Sequence, residues 1–87
     1  MNKEDAGDLV FPLKCHFRVI AEDYKDMHFV IETVLMELGL NVPVEKANTS
    51  TNGKYVSFNI SAVIESREKM NRIDKELRLI QGVRMVL

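Results

Sequence analysis

An α+β sandwich of order βαββαβ is the fold this sequence predicts, and three observations predict it. From Leu13 to Ala21 apolar and polar residues alternate, the period of a half-buried strand. Two later segments, 27–38 and 70–80, carry apolar residues at helical spacing. Between them stands Asn52-Gly53, a turn pair flanked by two strand-like runs. A hairpin at the centre, with a helix after the first and third strands, is the ferredoxin-like arrangement. It has a four-stranded antiparallel sheet with two helices on one face.

Each element has its own signal. In the first strand Leu13, Cys15, Phe17, Val19 and Ala21 share one face, and Lys14, His16 and Arg18 take the other. Asp23 is the expected N-cap of the first helix, whose buried stripe is Met27, Val30, Ile31, Val34, Leu35 and Leu38. Gly39 follows as its stop. "NVPVEKAN" predicts the second strand, and Pro43, which cannot donate to a ladder, assigns it to a sheet edge. Asn52-Gly53 predicts a type I′ hairpin turn. The third strand runs over 54–64, with Val56, Phe58, Ile60, Ala62 and Ile64 facing the helices. Ser66 is the expected cap of the second helix, whose stripe is Met70, Ile73, Leu77 and Ile80. Gly82 ends that helix, and "VRMVL" is the last strand.

Bulk composition narrows the function. The 87 residues form one domain, over 10–87, behind a flexible tail at 1–9. Twelve basic against thirteen acidic residues leave a net charge of -1, so no global field attracts a polyanion. The lone cysteine, Cys15, excludes an internal disulfide and fits a reducing cytoplasm. The N-terminal residues lack the apolar core of a signal peptide, and no run is long enough to span a membrane.

Catalytic signals are missing. Cys15 points into the core while His16 points away from it, which separates a thiol from its nearest base. No zinc-type Cys/His spacing and no glycine-rich phosphate loop occurs. The expectation is a protein that is not an enzyme and has neither cofactor nor metal.

Two surfaces remain. The outward positions of the central strands, His16, Arg18, Tyr55, Ser57 and Asn59, with Ser61 beside them and Arg84 from the fourth strand, form a candidate ligand or partner face. An RNA-stacking sheet carries two aromatics two residues apart, and here Tyr55 is followed by Ser57, which weighs against nucleic acid. Phe29 and Met36, seven residues apart on the polar side of the first helix, form a candidate association patch, with Leu79 similarly placed on the second.

"VFP" before the first strand, "FRVIAED" at its end, "STNGKYVSFNI" across the hairpin and the terminal "VRMVL" resemble the YbeD-like proteins, a family of small bacterial proteins of unknown function. That resemblance implies a ferredoxin-like fold similar to the ACT regulatory domain, a bacterial cytoplasmic location and no established catalysis. ACT modules bind small ligands near the turn from the first strand into the first helix, where glycine is typical. Here the turn reads "AEDYKD", without glycine, and no ligand residue is carried over. The resulting expectation is a non-catalytic regulatory or protein-interaction module acting on a protein partner or a second copy. Sensing of a small ligand is left open, and a nucleic-acid-binding module using the open sheet is the alternative.

Overall fold

The computed structural model describes residues 9–50 and 52–87 of the chain. The elements are β1 (Leu13–Glu22), α1 (Met27–Glu37), β2 (Val44–Thr49), β3 (Tyr55–Ile64), α2 (Arg67–Arg78) and β4 (Val83–Val86). They form one antiparallel sheet in the order β2-β3-β1-β4. The long strands β1 and β3 are therefore central and β2 is an edge as expected, but it starts at Val44, so Pro43 stands just before the strand instead of within it. The tail expected at 1–9 lies, apart from Leu9, outside the described residues.

One sheet face and the two helices enclose the core. Cys15, Phe17, Val19 and Ala21 of β1 and Val56, Phe58, Ile60, Ala62 and Ile64 of β3 are all buried there. Met27, Ile31 and Leu35 of α1 and Ile73 and Leu77 of α2 meet them from above. Val30, expected in the α1 stripe, is exposed instead. Its neighbour Ile31 takes the inward position, and an 11-residue helix on a narrow sheet buries only one row fully.

Local signals at the helix ends hold unequally. Ser66 caps α2, its hydroxyl accepting from Lys69 N–H at 3.1 Å. Asp23 does not cap α1. The helix starts at Met27 behind Asp26, which makes no side-chain cap bond. Strand β1 runs on to Glu22, so Asp23 is still leaving the sheet, its N–H donating to the Lys54 carbonyl at 3.0 Å. The other end of α1 is closed as expected. Gly39, at φ +84°, donates to Met36, Leu40 donates to Leu35, and Lys69 Nζ of α2 donates to the Leu38 carbonyl.

Two turns differ from expectation. The hairpin loop is longer than two residues: Gly53 donates to Ser50 at 2.8 Å and adopts φ +72°, while the Ser50 hydroxyl accepts from Lys54 and Tyr55 N–H. The Ser50 side chain does the work assigned to a two-residue turn. Gly82 does not end α2, which stops at Arg78; it sits in the following turn at φ +95°. There a Cβ would lie 2.7 Å from the Tyr24 ring, so glycine allows the α2–β4 turn to lie against the β1–α1 turn.

Candidate functional site

The sheet face away from the helices is uncovered by any described element. Antiparallel register lays it out in rows: Lys14 beside Val63, His16 beside Ser61, Arg18 beside Asn59, Ile20 beside Ser57, and Glu22 beside Tyr55. On the other side of β1, Met85 stands next to Ile20, and Leu87 exchanges both backbone hydrogen bonds with Arg18. A bulge between Ile20 and Ala21 leaves Arg84 as the extra residue of β4.

The side chains on this face are not equally free. His16 Nδ1 and Ser61 Oγ are 2.7 Å apart, so each satisfies the other. Arg84 Nε lies 3.3 Å from Glu22, whose other oxygen accepts from the Tyr24 hydroxyl at 2.6 Å. That bond, with the carboxylate charge behind it, raises the Tyr24 pKa. Ser57 corrects the sequence expectation. It lies on the outward side but is only 6% exposed, because the irregular β2 backbone closes over it and Asn48 N–H donates to its hydroxyl at 3.2 Å. Tyr55 is half-buried under Lys54, whose ammonium sits 5.6 Å from the ring centroid. Arg18, Lys14 and Asn59 are exposed, and none of their side chains has a partner among the described residues.

Apolar side chains on this face complete it. Val63 is 64% exposed and Leu87 63%, with Met85 exposed and Ile20 half-buried between strands. The outward parity of Ile20 and Val63 was available from the strand alternation. The placement of Met85 and Leu87 was not, because it depends on the bulge and on pairing with a strand about sixty residues earlier.

Phe29 and Met36 are 71% and 66% exposed on α1, as their helical phase predicts. No residue of the sheet face joins them, since α1 packs on the opposite side. Cys15 lies in the core, where desolvation raises its pKa and keeps the thiol protonated. A further depression of about 520 Å³ lies where the β1–α1 turn meets the end of α2, lined by Tyr24, Lys25, Asp26, Met27, Val30 and Ile80. Among the described residues no group of three His, Cys, Asp or Glu side chains is placed to hold a metal ion, and no helix is long and apolar enough to cross a membrane.

Strand order, helix placement and the open sheet face together define a small domain with a ferredoxin-like, ACT-like fold. The chain belongs to the family described as protein of unknown function (DUF493), whose model matches residues 8–87. Among solved structures it is similar to protein HP0495 from Helicobacter pylori, with TM-score 0.78 and 24% identity over 91% of this chain and 85% of that one. It also resembles the ACT domain of GTP pyrophosphokinase from Chlorobium tepidum, with TM-score 0.66 and 19% identity over 86% and 95%. The C-terminal domain of MgtC from Mycobacterium tuberculosis aligns with TM-score 0.63 and 16% identity over 97% and 88%. At these identities the similarity establishes fold alone. No curated protein matches the chain in sequence.

Proposed function

We propose that this protein is a non-catalytic regulatory or protein-interaction module of the bacterial cytoplasm, docking a partner on its open sheet face. The observation that carries this reading is the pairing of exposed Lys14 and Arg18, without side-chain partners among the described residues, with exposed Val63, Met85 and Leu87 on a face that no described element covers. The YbeD-like resemblance of the strands belongs to the same reading. A photo-crosslinking amino acid at Ser61 should give a discrete adduct in native extract that the added variant Arg18→Glu suppresses. The same probe at Arg72, exposed on α2, should give none. Equal labelling from both positions would remove the proposal.

Self-association through Phe29 and Met36 makes a separate prediction. Light scattering should then report a lower mass for Phe29→Asp with Met36→Asp than for the native protein. An unchanged mass would assign the patch to solvent. Ligand sensing in the manner of ACT domains is favoured by one feature, the depression under the β1–α1 turn, where Lys25 and Asp26 offer opposite charges beside apolar Val30 and Ile80. A thermal-shift screen of free amino acids tests it, with a rise in Tm that Asp26→Ala abolishes as the expected outcome. A single-stranded oligonucleotide is the weaker partner, because Tyr55 and His16 are the only rings among the outward positions of β1 and β3.

A further inference from the structure

We infer that the partner element is an acidic amphipathic helix, and that it lies across the sheet face rather than adding as a strand to its rim. This rests on the interaction reading above and goes beyond it by naming the chemistry and the mode of docking.

Charge selects the sign. The chain is slightly acidic overall, at -1, but among the described strand and hairpin residues the open face collects Lys14, Arg18, Lys54 and Arg84 against Glu22 and Glu45. Glu22 is occupied by Arg84 and Tyr24. Glu45 is opposite Asn59, a strand removed from Arg18, and pairs with no cation among the described residues. Lys14 and Arg18, which have no side-chain partner among the described residues, are four residues apart on one strand, roughly 13 Å. Carboxylates two turns apart on a helix are separated by about 11 Å, a difference that the long Lys and Arg side chains can span. Val63 beside Lys14, and Ile20, Met85 and Leu87 beside Arg18, supply apolar ground for the stripe between the acids.

Both rims argue against strand addition. Leu87 exchanges its backbone bonds with Arg18, so the carbonyl of Val86, one residue earlier, points away from β1 toward the open rim. Arg78, the last residue of α2, donates to it through Nη2 at 2.8 Å. On the other rim the same alternation carries across the sheet. Even-numbered residues of β1 bond to β4, so odd ones bond to β3, and Ile60 is turned toward Phe17. Val44, opposite Ile60, must then aim its carbonyl outward, and His28 of α1 meets it with Nε2 at 2.6 Å. His28 is held there by the Phe58 ring, 5.5 Å between centroids. Each helix thus closes a carbonyl on the edge strand that follows it. The irregular register between Lys46 and Thr49 bends the β2 rim further from a flat template. The sheet's other face shows what this surface accepts, since two helices already pack on it.

The probe is a labelled amphipathic peptide of Leu and Glu with carboxylates two turns apart, followed by fluorescence anisotropy. Its control is the same peptide with Lys for Glu, and a single-stranded oligonucleotide serves as competitor. The native protein should bind the acidic peptide, more weakly as salt rises, and ignore the basic one. Lys14→Glu with Arg18→Glu should lose at least tenfold and gain affinity for the basic peptide, a reversal that an unfolded variant cannot produce. His28→Ala with Arg78→Ala, checked by circular dichroism, should bind as the native protein does. Equal binding of both peptides, binding of neither, loss in the rim variant, or tighter binding of the oligonucleotide would each overturn the inference. A crosslinked partner at Ser61 from a protein that ignores the acidic peptide would sink this inference and leave the broader reading standing.

Discussion

The two faces of the central strands are built from alternate residues of the same ten-residue segments, yet they obey different rules. On the inner face Phe17, Val19, Phe58 and Ile60 are buried in one apolar cluster with the helices, where the His28 ring also meets Phe58. On the outer face the intervening positions hold Lys14, His16, Arg18, Asn59 and Ser61, alongside apolar residues that stay in water. Burial and packing decide the first face, and substitutions there act on stability. No described element covers the second, so its substitutions should act on recognition. The difference shows why a strand can specify a fold with one parity and leave the other for function.

The sharpest way to break the contrast is Phe58→Ala. Removing this ring from the centre of the core should cost about 3–5 kcal/mol, read as a fall in denaturation midpoint. Gly82→Ala should come next, at roughly 1–3 kcal/mol, because φ +95° and a Cβ 2.7 Å from the Tyr24 ring both penalise a side chain. A stability unchanged by that substitution would mean that the two turns can separate freely. Ser66→Ala should lose about 1 kcal/mol through the missing cap on Lys69 N–H, while Asp23→Ala should lose little, since Asp23 caps nothing. Smallest of all, Arg18→Glu should shift stability by no more than about 0.5 kcal/mol while altering binding. A large loss of stability there would place the outer face inside the folding problem and erase the distinction.

Cys15 separates the faces chemically. Its thiol should react slowly with a disulfide reagent in the folded state and rapidly in denaturant, because burial raises its pKa. The sign for stability follows: the unfolded thiol ionises first as pH rises, so this group contributes fully below its ordinary pKa and progressively less above it. A guanidinium melt at pH 8 and pH 10 checks the direction.

Much of this was legible along the chain because it is local. Alternation assigned Phe58 to the core and Asn59 to the surface, Ser66 stood three residues before the N–H it caps, and Pro43 stood immediately before the edge strand. Helix phase exposed Phe29 and Met36. The start of α1 was misplaced because an aspartate before a helical pattern is a good cap only where the strand has already ended, and β1 had not. Ser57 read as available because alternation says which side a residue takes and not what closes over it.

By itself, then, the sequence determined the element order, the inner and outer parity of each strand, and the absence of familiar catalytic spacings. Those properties depend on neighbours within a few residues, where steric and hydrophobic periodicity act directly. Tertiary structure alone decided which outer residues remain free, that Met85 and Leu87 join Arg18, and that His28 and Arg78 seal the rims. Those depend on strand register and bulges, which a one-residue slip would change, and register is settled only when the whole core packs at once.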